Sequence, residues 1–275
     1  MDTEYEFWLI DDRTILNGLR QAYYAGLKGP VEPWLEEQTH RAYYFAIRHG
    51  EELVGYACID GEDCLLQFYL DDAHARHAQA LFRRLVDGRL MRTAFVSTRN
   101  PCVLSLCMDV QQGVACQAYL FVDQAMVECP VRKMAMPRFR QAQPADLAHL
   151  TALCDDFFAP TAANLEKGKL YLLEHDGAGE ADTHAGEIVG AGLIETDDCH
   201  PPTTAAIGMF THADFRCQGV GAHMIMRLKQ RCYAMGYTPI AGCWYRNIAS
   251  KQTLERAGMV TKDRILHINF VREKA

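Results

Sequence analysis

Three short segments recur in the same order in the two halves of this 275-residue chain, and that shared order restricts the fold more than any other feature. Glu52-Leu53-Val54-Gly55-Tyr56-Ala57 is answered by Glu187-Ile188-Val189-Gly190-Ala191-Gly192, each after an extended apolar run and a charged turn. Phe68-Tyr69-Leu70 followed by Arg76 is answered by Met209-Phe210-Thr211 followed by Arg216. Arg99-Asn100 closes one strand-like run as Arg246-Asn247 closes another. Such an order predicts an internal duplication of a β-rich α/β unit. The segment Met136 to Pro144 lies at the midpoint, carries two prolines and breaks both helical and strand patterns, so the expected domains are 1–136 and 137–275. A chain of this length buries roughly three quarters of the surface its unfolded form exposes, enough for a core without disulfides or metal.

Composition narrows the partners. Hydrophobic residues at 49% and charged residues at 23% are ordinary for a globular protein and exclude long disorder or collagen-like repetition. A net charge of −7 repels polyphosphate backbones, so no nucleic-acid partner is expected. The eleven cysteines form no Cys-x-x-Cys pair, and Cys199-His200 lacks a second ligand pair at zinc spacing. No metal site is therefore expected, and the thiols read as free and buried in a reducing compartment. The acidic start Met1-Asp2-Thr3-Glu4-Tyr5-Glu6 has no basic region ahead of an apolar core, and no run reaches the ~18 apolar residues a membrane span needs. The expectation is a cytoplasmic protein with no membrane partner.

In the second half, Leu147, Leu150, Leu153, Cys154 and Phe157 mark an amphipathic helix over 145–158. Strand-like runs follow at 170–173, 188–194 and 205–211, the first two separated by a Gly-, Ala- and Asp-rich surface loop. The most informative stretch runs from Ala205 to Met224: a strand, a turn with Gly219 and Gly221, and a helix continuing through Ile225, Leu228 and Cys232 to Gly236. The first turn of a helix has orphan N–H groups and a partial positive charge, so an anion there gains about 0.3–1 kcal/mol, and up to about 2 when partly buried. Without Cβ atoms at Gly219 and Gly221 a phosphate can approach the backbone. Gly219-Val220-Gly221-Ala222-His223-Met224 ends in Met where a dinucleotide fingerprint requires Gly or Ala, and no Lys-Ser or Lys-Thr follows at P-loop spacing.

Arg216-Cys217-Gln218-Gly219-Val220-Gly221 resembles the Arg/Gln-x-x-Gly-x-Gly/Ala motif of the GNAT N-acetyltransferase superfamily. Further on, Asn247-Ile248-Ala249-Ser250 resembles that family's Asn-x-x-Ser helix, in the right order and spacing. The resemblance covers about 136–275. It implies an α/β (α+β) fold of two GNAT-like domains, each a mixed, mostly antiparallel sheet flanked by helices. The first domain is a degenerate half, because Ala75-Arg76-His77-Ala78-Gln79-Ala80-Leu81-Phe82 stands where the glycines would be. Acetyl-CoA is then the acyl donor, with Met209, Phe210 and Thr211 along its pantetheine arm. The amides of Cys217, Gln218, Gly219, Val220, Gly221 and Ala222, with Arg216 of the same motif, would lie at its pyrophosphate. The strand 239–245 would splay from the one before it, and Asn247 would cap a helix and reach the pantetheine.

The chemistry so implied is direct attack of an amine on the thioester, with a base for the amine proton and an acid for the leaving thiolate. This chain departs from the common pattern, having Leu254 where many relatives carry the acidic tyrosine and Ala205 where some carry a glutamate base. Ser250 is the candidate acid or thiol contact, or else a plain serine bonding backbone. Glu195 is the candidate base or amine holder, or else a solvated strand-end glutamate. His212 and His223 flank the turn without an assigned role, and of Trp244 and Tyr245 one is expected to face the slot and the other the core. The leading function is an acyl-CoA-dependent N-acetyltransferase acting on a primary amine of a small molecule or amino acid. The alternatives are a non-catalytic acyl-CoA sensor and a structural protein with no CoA site. The first half is left to orient substrate, to carry a homodimer surface or to enlarge the fold.

Overall fold

A computed structural model describes residues 4–154, 162–175, 186–196 and 203–271. The chain forms two compact units, Met1–Tyr119 with Asp263–Ala275, and Leu120–Lys262. The first contains β1 (Tyr5–Ile10), α1 (Asn17–Gly26), α2 (Pro33–Thr39), β2 (Tyr43–His49), β3 (Glu52–Ile59), β4 (Cys64–Leu70), α3 (Ala78–Asp87), β5 (Thr93–Ser97) and α4 (Pro101–Val110), with β6 (Gly113–Asp123) running across the end of the unit. Strands β1 to β4 pair antiparallel in sequence order, and β5 joins β4 in parallel. Local chemistry sets the boundaries. The Asp60 carboxylate accepts the amides of Glu62 and Cys64 to turn β3 into β4. Pro33 and Pro101 open α2 and α4 behind the capping side chains of Glu32 and Asn100.

The second unit contains β7 (Arg138–Gln141), α5 (Leu147–Cys154), α6 (Ala162–Glu166), β8 (Leu170–Glu174), β9 (Ile188–Thr196), β10 (Thr204–Thr211), α7 (Val220–Ala234), β11 (Thr238–Trp244) and α8 (Ile248–Arg256), and β12 (Met259–Asn269) begins there. The pattern of the first unit repeats: β7 to β10 pair antiparallel in order and β11 joins β10 in parallel. The recurring segments fall on equivalent elements, β3 with β9 and β4 with β10. Asn100 caps α4 through the Val103 amide as Asn247 caps α8 through the Ser250 amide. The mixed, mostly antiparallel sheet flanked by helices is thus present twice. In the second unit the core between α5, α6 and the sheet is built from Leu150, Cys154, Leu165, Leu170, Leu172 and Ala191.

Several expectations change. A single boundary after residue 136 does not describe the units, because Ile265–Asn269 of β12 pair antiparallel with Ser97–Thr93 of β5 and Ile268 and Phe270 enter the first unit's core. A strand edge left open by β5 takes its hydrogen bonds from the far end of the chain. Of the helix expected over 145–158, Leu147–Cys154 is α5, while Phe157 lies outside the described residues, as do the loop 176–185 and Cys199-His200. Cys58, Cys64, Cys107 and Cys232 are buried as expected, and burial pushes these thiols up to about 12; Cys102, Cys116 and Cys217 are exposed. Among the described residues no helix is long and apolar enough to cross a membrane, and no group of three or more His, Cys, Asp or Glu could hold a metal ion.

Candidate active site

The turn from β10 into α7 has two left-handed residues, Cys217 at φ 60° and Gly219 at φ 92°. Arg216 braces its entrance, donating Nε–H to the Thr211 carbonyl at 3.2 Å with its guanidinium 5.9 Å from the centre of the Phe210 ring. Gln218 donates its side-chain amide to the Asp214 carbonyl. Gly219 is the N-cap of α7, and no side chain caps this 15-residue helix. Val220, Gly221 and Ala222 therefore begin the helix with amides that have no intrahelical acceptor, and only the His223 amide turns back, to the Gly219 carbonyl at 2.9 Å. The positive end of the helix is left open for an anion.

The two glycines are required for a different reason from the one expected. A Cβ at Gly219 would lie 2.6 Å from the Pro130 carbonyl oxygen, and one at Gly221 would lie 3.1 to 3.2 Å from Thr211 Oγ1, Thr253 Cγ2 and Met209 Sδ. The missing side chains make room for the protein's own chain, while the amides set the anion-facing surface.

Beside this helix end, β10 and β11 pair only at Thr204–Thr238, Ala205–Pro239 and Ala206–Ile240. Beyond that point Ile207 to Thr211 keep β9 on one edge, and β11 diverges from the other. The expected splay is present, and Met209, Phe210 and Thr211 lie along its open side. Across it, Asn247 caps α8 with its side-chain oxygen on the Ser250 amide at 3.0 Å. The Ser250 side chain is half-buried in the first turn of α8, and its hydroxyl has no partner among the described residues. Trp244 is 71% and Tyr245 38% exposed, so neither belongs to the core. Trp244 and Tyr245 lie beyond Ile240, the last β11 residue paired with β10.

Glu195 is opposite Ala206 at the paired end of the two strands, with Lys169 Nζ 3.2 Å from its carboxylate. Ala205 and Leu254, the positions at which relatives carry a base and an acid, are buried apolar side chains at 1% and 3% exposure. His212 accepts the Asp214 amide, capping the short turn before Arg216. His223 is buried and Nδ1 lies 2.9 Å from the Cys129 carbonyl. A carbonyl only accepts, so Nδ1 carries the proton; burial holds this imidazole below its ordinary pKa.

Two features of the site were missed from the sequence. The first is a strap preceding β7. The amides of Gln124 and Ala125 bond the Gly258 carbonyl, Cys129 is held by His223, and the Arg132 amide bonds the Gln218 carbonyl at 2.8 Å. The second is Lys229, fully buried on α7, with Nζ 2.6 Å from Asp123 Oδ1, 2.7 Å from the Ala125 carbonyl and 2.6 Å from the Ala257 carbonyl. One ammonium ties the start of the strap and the end of α8 to α7. Its signal was present: Lys229 is four residues after Ile225 and three before Cys232, on the apolar stripe of the helix.

Two family models match the chain, one described as "Acetyltransferase (GNAT) domain" over residues 13–124 and one as "Acetyltransferase (GNAT) family" over 134–259. An uncapped helix behind a splayed strand pair, preceded by a second copy of the same unit, is accounted for by that match: the chain belongs to the GNAT acetyltransferases, as two domains in tandem. Among solved structures it is similar to an acetyltransferase from the GNAT family of Colwellia psychrerythraea, at 20% identity and a TM-score of 0.85, covering 97% of this chain and 100% of that one. A GCN5-related N-acetyltransferase from Sphaerobacter thermophilus matches at 11% identity and 0.66, over 98% and 97% of the two chains. A tandem GNAT protein from the clavulanic acid biosynthesis pathway matches at 14% and 0.63, over 98% and 100%. These likenesses concern the fold. No curated protein sequence matches this chain significantly.

Proposed function

We propose that the second unit is an acyl-CoA-dependent N-acyltransferase that moves an acetyl group from acetyl-CoA to the primary amine of a small molecule or amino acid, in the cytoplasm. The observation that carries this reading is the parting of β10 and β11 after three residue pairs beside a helix terminus with no cap. The donor supplies an activated thioester carbonyl. The backbone of Met209, Phe210 and Thr211 offers the amide arm of the donor a strand edge to pair with, as an added strand would. The amides of Val220, Gly221 and Ala222 meet the pyrophosphate, and Arg216, held on Thr211 and Phe210, keeps the strand end in place. Ser250 Oγ, unengaged in the first turn of α8 among the described residues, is our candidate to donate a proton to the leaving thiolate. Glu195, with its carboxylate beside Lys169, is suited to holding the acceptor's ammonium by exchange with that lysine.

A second reading, an acyl-CoA sensor without turnover, is favoured by the buried Ala205 and Leu254 at the positions of the usual base and acid. Both readings require CoA binding, and they differ in product. The full chain is incubated with acetyl-CoA and a panel of primary amines, and N-acetyl products are measured by mass spectrometry alongside calorimetric CoA affinity. Acetylated product from any amine, lost in Gly221→Glu, supports the enzyme. CoA binding without product from any amine supports the sensor, and absence of CoA binding refutes both.

A further inference from the structure

The strap and the glycine turn form an open pocket of about 280 Å3 lined by Glu128, Pro130, Arg132, Cys217, Ala222 and Arg256. Two arginines from separate elements line it beside the first turn of α7, Arg132 from the strap and Arg256 from the last turn of α8, both of them exposed. Among the described residues neither side chain has a hydrogen-bond or ion-pair partner, although Glu128 lines the same pocket. Two cations against one anion, with the helix end adding partial positive charge, leave the pocket in need of negative charge. The planar fork of arginine matches the oxygens of a phosphate.

We propose that this pocket is a second phosphate subsite, in which Arg132 and Arg256 bind the ribose 3′-phosphate of the acyl-CoA. The inference rests on the acyl-CoA reading and deepens it, since the pyrophosphate is already assigned to the amides of the turn, and a further phosphate is what separates CoA from its dephospho form. Residues 125–133 lie between the two family matches, so Arg132 is supplied by a segment that neither GNAT domain includes. The backbone bond from the Arg132 amide to Gln218 and the His223 grip on Cys129 fix the strap backbone before any ligand arrives, so the ordering left to oppose binding is that of the side chains.

Titration calorimetry of the full chain with CoA, dephospho-CoA and inorganic phosphate tests this. The expected result is that wild type prefers CoA over dephospho-CoA by about tenfold or more, the scale of one charge-assisted phosphate contact. Arg132→Gln and Arg256→Gln each lower CoA affinity towards the dephospho-CoA value and leave dephospho-CoA affinity within about twofold, while Glu128→Gln raises the preference. Inorganic phosphate that competes with CoA but not with dephospho-CoA points to the same subsite. Equal wild-type affinities, or arginine variants that weaken both nucleotides alike, overturn the subsite and leave the acyl-CoA reading standing. Failure of both nucleotides to bind removes the subsite and the acyl-CoA reading together.

Discussion

Replacing Lys229 by methionine tests the physical basis of the site most severely. The ammonium is fully buried and meets three oxygens within 2.7 Å, one of them on an Asp123 side chain only 5% exposed. Lys229→Met keeps the volume and the apolar stem but leaves a buried carboxylate without its counter-ion, held among the described residues only by the Tyr233 hydroxyl on Oδ2, and strands two carbonyls. Breaking a buried ion pair from one side costs about 3–5 kcal/mol, and each carbonyl losing a charged donor adds about 1–3 kcal/mol before relaxation. These contributions are not additive, so the expected loss is about 4 kcal/mol, a large share of a domain's ~5–15. Removing the stranded charge as well, in Lys229→Met with Asp123→Leu, is expected to restore about 2 kcal/mol or more, because an apolar pair of similar volume carries no desolvation penalty. Urea unfolding of the full chain followed by circular dichroism measures both variants. A single variant within about 1 kcal/mol of wild type, or a double variant less stable than the single one, refutes the claim that one buried charge clamps the strap and α8 to α7.

The remaining predictions concern the turn, its imidazole and α8. Gly219→Ala combines a left-handed backbone with a 2.6 Å approach to Pro130, so it is expected to cost about 2–4 kcal/mol, whereas Gly221→Ala, unstrained in backbone with contacts of 3.1 Å or more, costs about 1; thermal unfolding ranks the two. Because burial depresses the His223 pKa, the folded chain binds a proton there less readily than the unfolded chain. The stability this neutral ring supports is complete above its ordinary value near 6.5 and declines as pH falls through the lower folded value, and His223→Gln flattens that part of the stability–pH profile. Asn247→Ala removes the cap of α8 and costs about 1 kcal/mol in urea unfolding. Ser250→Ala leaves stability within about 0.5 kcal/mol and lowers kcat rather than CoA affinity in steady-state assays; an unchanged kcat removes Ser250 from the chemistry.

The repeat was legible because strand order, hairpin chemistry and helix caps are local. Glu52 to Ala57 and Glu187 to Gly192 read as the same strand, and both describe it. The Asn100 and Asn247 caps each depend on an amide three residues away. The turn from Thr211 into α7 was legible for the same reason. The reason for its glycines was not, since Pro130 and Thr253 come from elsewhere in the sequence. Nor was the exposure of both Trp244 and Tyr245, which follows from β11 parting from β10; alternation along a strand says only that two side chains point apart.

From its residues alone, the chain determined two β-rich α/β units of one pattern, an open helix terminus after a strand, and a second capped helix beside it. These depend on φ preferences, hydrogen bonds a few residues long and apolar periodicity, all written in consecutive positions. The tertiary structure decided which surfaces meet that turn. His223 reaches a carbonyl 94 residues away and Lys229 one 104 residues away, and the last strand completes the first unit's sheet. Such contacts are chosen by which buried polar groups and open strand edges find partners once the chain has compacted, a condition on the whole molecule that no short stretch of it contains.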